Sequence, residues 1–209
     1  VNPDCGRIYD RSGTLLLDTN DGRVYNADET IRKATMHLLG DRDGYISAPL
    51  LKTYASKMIG FDVWNGLYTD EPGSVAARLT ISASVQAAAQ KALTGYRGTI
   101  GVYNYKTGEI LCAVTSPSYD PDNVPDVAGD TTGRYEGVYI NRFFDAVYTP
   151  GSIFKLVTAA AALETIPDVQ SRRFTCEGKT VIGGQEIICT GVHGNLDLAG
   201  ALAHSCNVA

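Results

Sequence analysis

The segment LVTAAAALETI, residues 156–166, is apolar almost all the way round a helical projection. A helix of that kind has no face suited to water, and its four alanines allow neighbours to approach closely, so it is expected at the centre of a domain. The residues before it, YTPGSIFK, supply a start signal. Thr149 suits an N-cap and Pro150 the first helical position, which places Ser152 in the first turn and Lys155 almost one turn later on the same face. A lysine at the amino end of a buried helix is partly desolvated and lies beside the positive end of the macrodipole, and both effects disfavour its charged form. A neutral lysine in reach of a serine hydroxyl can take its proton, and the helix end favours negative charge on the alkoxide and on a nearby acyl oxygen. A Ser-x-x-Lys arises about once by chance in a chain of this length, so its weight comes from its placement at the head of this helix.

A second constellation lies about 50 residues on, in HGNLDLAGALAHSCNVA. A helix capped near Asn195 or Asp197 leads into Ser205-Cys206-Asn207, where a hydroxyl and an amide two residues apart can face one cleft from a tight loop. The hydroxyl can relay a proton to a leaving amine, and the amide can hold a peptide-like substrate. The plain alternative is a helix end with polar cap residues.

Bulk properties narrow the classes. With 209 residues, 44% hydrophobic and 20% charged, the chain has globular composition and room for one domain or two small ones. A net charge of −5 without any dense Lys/Arg block argues against a nucleic-acid surface. No apolar run reaches 18 residues, and the start VNPDCGRIYDRSG lacks the layout of a signal peptide. The five cysteines form no Cys-x-x-Cys pair, and the three histidines have no spaced partners, so no metal is expected. Cys112, in EILCAVTS, reads as a small buried hydrophobe. Cys176 and Cys189 flank a hairpin-like EGKTVIGGQEII and are the one pairable couple; whether they are bonded stays open.

Along the chain, GRIYDRSGTLLLDTN predicts a hairpin about an Arg-Ser-Gly turn. DETIRKATMHLL and SAPLLKTYASKMIG predict short helices capped by Asp28 and Ser47, and FDVWNGLYTDEPGSVAARLTI returns to extended or irregular chain. A boundary is placed near residue 80. SASVQAAAQKALTGY then predicts a helix ended by Gly95, with Val85, Ala88, Ala89, Ala92 and Leu93 facing inward. GTIGVYNYKTGEILCAVTSP predicts an antiparallel hairpin, and residues 118–144 a polar surface excursion.

Taken together, YTPGSIFKLVTAAAALE followed by HGNLDLAGALAHSCN resembles the acyl-serine transferases that include penicillin-binding proteins and serine β-lactamases. GRIYDRSGTLL is similar to the segment just outside the membrane anchor of class B penicillin-binding proteins. RLTISASVQAAAQKAL and YNYKTGEILCAVTSPSYDPDN are similar to the opening helix and hairpin of their transpeptidase domain. The resemblance implies an α+β fold: an amino-terminal pedestal or linker domain over residues 1–80, then the first half of a transpeptidase domain over 81–209, with a sheet hairpin and a helical subdomain. It implies that Ser152 is the acylated nucleophile, Lys155 its general base, Ser205 a proton relay to the leaving group and Asn207 a substrate-binding amide, with no metal or cofactor. The implied substrate is the D-Ala-D-Ala end of a peptidoglycan stem peptide; β-lactams would acylate the same serine. Residues 1–80 would offer a surface for cell-wall assembly proteins. The implied location is the extracytoplasmic face of a bacterial membrane, through an amino-terminal anchor outside these residues.

The family's third motif, Lys-Thr-Gly, follows the asparagine triplet at a distance, whereas Lys106-Thr107-Gly108 precedes it and reads as a hairpin turn in which Gly108 supplies a positive φ. The 209 residues are therefore expected to be an amino-terminal portion, inactive alone, with exposed apolar faces and an unpaired sheet edge. Ser82 stands where relatives usually carry an acidic helix cap and is expected to cap equally well. Competing assignments are a β-lactamase or penicillin-sensor domain, disfavoured by the GRIYDRSG leader, and a non-catalytic interaction module, disfavoured by the intact Ser152, Lys155, Ser205 and Asn207.

Overall fold

The two apolar runs about Arg11-Ser12-Gly13 pair as expected, β1 (Arg7–Tyr9) with β2 (Leu15–Asp18), antiparallel and with Ile8 opposite Leu17. The structure is a computed structural model that describes residues 6–20, 22–48, 51–53, 61–62, 67–68 and 76–209. Its contacts divide the chain into two compact units, Val1–Val147 and Tyr148–Ala209. The division expected near residue 80 falls inside the first unit.

In the first unit β3 (Val24–Tyr25) and β6 (Ala76–Arg78) complete a four-stranded sheet in the order β3-β2-β1-β6, with β6 parallel to β1. Helix α1 (Glu29–Leu39) starts at Asp28, whose carboxylate accepts from the Thr30 and Ile31 amides at 2.7 and 3.2 Å. Of the second helix expected before residue 60, Ser47 and Ala48 are described and are not helical, and residues 51–53 are helical; residues 49–50 and 54–60 lie outside the described residues. The short pair β4 (Phe61–Asp62) and β5 (Leu67–Tyr68) follows. Helix α2 (Ala83–Ala92) packs on α1 and on the hairpin β7 (Gly98–Tyr103) and β8 (Ile110–Ser116). Ile8, Leu16, Leu17 and Leu39 share one core with Ile81, Ala83 and Ala113, so strands before residue 80 and elements after it are buried together. Cys112 is fully buried on β8. Lys106-Thr107-Gly108 lies in the hairpin turn, with Gly108 at φ +76° and its N–H on the Asn104 carbonyl.

Three expectations are corrected in this unit. Helix α2 buries Ala89 and the following Leu93 as expected, but it also turns Ala83 and Gln86 inward and leaves Val85, Ala88 and Ala92 exposed. The reason is polar: the buried Gln86 amide donates to the Ala34 carbonyl (3.0 Å) and accepts from the Ala113 amide (2.7 Å), joining α1, α2 and β8 where only a matched pair of hydrogen bonds makes burial tolerable. Ser82 is the N-cap residue but makes no capping bond; Asp10 reaches from the β1–β2 turn to accept from the Ala83 amide at 2.9 Å. Burial raises the pKa of that carboxyl, but the bonds from Ala83, Ser12 and Thr14 outweigh it and hold it at about 2.

The polar stretch read as a surface excursion is anchored rather than superficial. Tyr119 and Val138 are buried against Met36 and Ile46. Arg32 grips Asp120 through two 2.7 Å bonds, and Asn141 donates to the His37 carbonyl at 2.9 Å. His37 itself is buried with Nε2 on the Val138 carbonyl at 2.7 Å, and burial lowers its pKa to about 4.

In the second unit a 3₁₀ turn (Gly151–Ile153) precedes helix α3 (Phe154–Thr165). β9 (Phe174–Cys176) pairs antiparallel with β12 (Gly194–Leu196). Between them β10 (Lys179–Ile182) and β11 (Gln185–Ile188) form the hairpin expected in EGKTVIGGQEII. Helix α4 (Leu198–Ala203) is capped by Asp197, which accepts from the Gly200 amide at 2.8 Å.

Candidate active site

The head of the Ser-x-x-Lys helix differs from expectation in a local way. Gly151 adopts φ +56°, which breaks regular helix between Pro150 and Ser152, so Thr149 makes no capping bond and the α-helix proper starts at Phe154. Ser152 is therefore exposed on the 3₁₀ turn, and Lys155 is the second residue of α3.

The helix was expected to be central, yet Ala159 is its one buried residue, and Leu156 and Val157 are 65% and 57% exposed. An apolar helix is buried only where other elements are present to cover it, and the main neighbours of α3 within this unit are the preceding 3₁₀ turn, a second 3₁₀ turn (Val169–Ser171) and α4. β7 and β8 likewise pair with each other alone among the described residues, so the expected unpaired sheet edge is present.

Lys155 and the Ser205-Cys206-Asn207 loop come together across about 50 residues of sequence. Lys155 Nζ donates to the Ser205 carbonyl (2.5 Å), to Ser205 Oγ (3.1 Å) and to Asn207 Oδ1 (2.6 Å). Asn207 is held at its other end, where Nδ2 donates to the Ile188 carbonyl at 2.9 Å. Ser205 makes this convergence possible through its backbone. It sits at φ +49°, just past α4, while the Ser205 amide bonds the Leu202 carbonyl and the Cys206 amide bonds the Ala201 carbonyl. This is a helix C-terminus of the kind usually closed by glycine, and a side chain there costs about 1–2 kcal/mol. The sequence concentrates that strain on a hydroxyl aimed at Lys155. No hydrogen bond joins Ser152 to Lys155 among the described residues; the bonds of Nζ run to the loop.

A second convergence shares this loop. Cys176, Cys189, His193 and Cys206 bring three Sγ atoms and one ring nitrogen within 4.8 Å of one another. Cys176 and Cys189 are both free, so the pairing left open by the sequence is not formed; Cys189 Sγ instead has Cys206 Sγ at 3.8 Å, beyond a bonded separation of about 2.05 Å. The Asn207 amide donates to Cys189 Sγ at 3.3 Å and is the main cause of a lowered Cys189 pKa; burial raises that of Cys206. These four residues escaped sequence reasoning because no two form a Cys-x-x-Cys. Cys189 and His193, four apart, were the one local signal.

The family model for the "Penicillin binding protein transpeptidase domain" matches residues 98–209. Among curated proteins the chain is similar to stage V sporulation protein D of Bacillus subtilis, 29% identical over 150 residues, or 67% of this chain and 22% of that protein. It is also similar to the peptidoglycan D,D-transpeptidase PbpA of Mycolicibacterium smegmatis, 35% identical over 98 residues, or 41% of this chain and 20% of that protein. Among solved structures it resembles the D,D-transpeptidase domain of a peptidoglycan glycosyltransferase from Eggerthella lenta, with TM-score 0.73, 26% identity, and coverage of 96% of this chain and 47% of that one. The fold is also that of penicillin-binding protein A from M. tuberculosis, solved as a penicillin G acyl-enzyme complex, with TM-score 0.74, 23% identity, and coverage of 100% of this chain and 55% of that one. The chain thus spans about a fifth of the length of these curated relatives and about half of these solved chains. With a mixed α+β fold, a Ser-x-x-Lys helix met by a Ser-x-Asn loop, and a family match over more than half its length, the chain belongs to the class B penicillin-binding proteins.

Proposed function

We propose that this chain carries the acylation machinery of a peptidoglycan D,D-transpeptidase. The observation that supports this most is the meeting of Lys155 Nζ with Ser205 Oγ and Asn207 Oδ1, at 3.1 and 2.6 Å, from two segments far apart in sequence. Ser152 Oγ attacks the carbonyl of the penultimate D-alanine of a stem peptide, and Lys155, as the neutral amine with one contact to the loop exchanged for a lone pair turned to Ser152, accepts its proton. The Ser152 backbone N–H faces the developing oxyanion. Ser205 Oγ, already bonded to Nζ, passes a proton to the departing D-alanine, and Asn207 holds the substrate amide. An amine from a neighbouring strand then attacks the acyl-serine and forms the cross-link. β-Lactams acylate the same oxygen but leave slowly.

Residues 1–80 act as a pedestal and 81–209 as the first half of the transpeptidase domain, working at the extracytoplasmic face of the membrane. A penicillin-binding protein of Helicobacter pylori is known in complex with MreC, which supports a cell-wall assembly partner for the pedestal. On this reading the isolated chain is inactive, and the uncovered Leu156 and Val157 on the Ser-x-x-Lys helix support that. The test is labelling of the full-length protein with a fluorescent penicillin. One label per chain, lost in Ser152→Ala, is expected; undiminished labelling of Ser152→Ala would remove the reading. Stoichiometric labelling of the 209-residue chain alone would overturn only its inactivity.

A further inference from the structure

Cys176 ends β9, Cys189 follows β11, His193 precedes β12, and Cys206 sits inside the Ser-x-Asn loop, so four separate pieces of the second unit aim a ligand atom at one point. The cysteines are nearly enclosed, with 0%, 9% and 4% of Cys176, Cys189 and Cys206 exposed. Three unbonded thiols and an imidazole crowded together form a donor set without other employment in this fold.

We propose that Cys176, Cys189, His193 and Cys206 bind one Zn²⁺ as a closed tetrahedral Cys₃His site. The separations carry the assignment. A tetrahedron with Zn–S of about 2.3 Å and Zn–N of about 2.0–2.1 Å has S···S edges of about 3.8 Å and S···N edges of about 3.5 Å. The observed Cys189–Cys206 separation is 3.8 Å, and His193 Nδ1 lies 3.5 Å from Cys189 Sγ and 3.6 Å from Cys176 Sγ. His193 presents Nδ1, since that is the nitrogen facing both sulfurs. The Asn207 amide donates to Cys189 Sγ at 3.3 Å, the kind of outer bond that steadies a thiolate ligand. With four protein ligands the site is structural; the bound thiolates give up their protons to solvent, and no electrons move.

The site ties the Ser-x-Asn loop to both strand pairs of the unit. Cys206 lies between the residue whose carbonyl and hydroxyl accept from Lys155 and the residue whose amide does. Zinc therefore fixes the strained backbone at Ser205 that a short helix end alone holds weakly.

The full-length protein, purified without chelator and under reducing conditions, is expected to hold about one zinc per chain by elemental analysis. Exchange for Co²⁺ should give thiolate-to-cobalt charge-transfer and tetrahedral ligand-field bands, a measurement on the unaltered protein that does not depend on any variant folding. Cys206→Ser and His193→Ala should lose most of the metal, and Cys112→Ser, altering a thiol outside the cluster, should keep it. A metal-free protein that gives no cobalt spectrum, iron in place of zinc, or a Cys176–Cys189 disulfide found by mass spectrometry of the native protein would overturn the proposal. A further consequence rests on the acyl-serine reading: stripping the metal should slow penicillin labelling by up to about 10²-fold through loss of loop position. A protein that holds zinc but never takes label removes that reading and leaves the zinc site standing.

Discussion

Helices α2 and α3 are both rich in alanine and almost equal in length, yet they are held in opposite ways. α2 lies against α1 and β8, its buried Gln86 joining all three, and its burial is the work of neighbours that cover it. α3 has one buried residue, and its strongest described ties beyond itself are the three bonds of Lys155 to a single loop. The same contrast runs through the two units. The first is organised by an apolar core that includes Ile8, Leu16 and Leu39, and the second by two polar convergences that meet at residues 205–207. Alanine content sets how closely a helix can be approached; only surrounding structure determines whether anything does so.

The sharpest way to break this contrast is at its polar pole. Lys155→Ala in the full-length protein should slow acylation by labelled penicillin about 10²–10⁴-fold if Lys155 is the general base proposed above, a larger effect than the loss of its bonds to the loop has on thermal stability. A variant that unfolds, or labels at the original rate, would deny that Lys155 organises a reaction centre. At the apolar pole, Leu39→Ala empties a fully buried position and should destabilise the first unit by about 2–5 kcal/mol in denaturant unfolding. Gln86→Leu keeps the volume but strands the Ala34 carbonyl and the Ala113 amide, for a cost of about 1–3 kcal/mol per group; a neutral result would show that α2 is held by packing alone.

His37 gives a subtler pH signature. Its folded-state pKa of about 4 lies below the ordinary 6.5, so the unfolded chain takes up a proton first as pH falls. Stability from the neutral imidazole is present above about 6.5 and declines as pH drops towards 4, with a slope of at most about 1.4 kcal/mol per pH unit. His37→Gln should flatten that part of the stability–pH curve, and an unchanged slope would assign it elsewhere. The smallest effect is predicted for Leu156→Ala on α3. At 65% exposed it should alter the stability of the isolated chain by no more than about 0.5 kcal/mol, although the same change in a buried leucine is severe.

Much of this was legible in the sequence. The β1–β2 hairpin, the Asp28 cap, the β7–β8 hairpin with its Lys-Thr-Gly turn and the Asp197 cap all depend on residues within a few positions of one another. Such features follow from local backbone preference. The candidate residues Ser152, Lys155, Ser205 and Asn207 were also legible, since each pair is a short motif, and the structure brings Lys155, Ser205 and Asn207 together.

What the sequence could not determine is every feature that depends on a distant partner. Asp10 caps a helix 73 residues away, where Ser82 was the obvious candidate. Gln86 faces inward because two backbone groups await it, which inverts the polarity rule used to choose the buried face. Of four metal-type ligands spaced 13, 4 and 13 residues apart, only Cys189 and His193 are near neighbours in sequence; the set assembles when β9, β11, β12 and the end of α4 fold back on one another. Which segments curl or extend, and which side chains are chemically able, could be read from the chain, because these rest on neighbours along it. Tertiary structure alone decided which groups are buried, satisfied and aimed at one another, because those properties belong to distances in space.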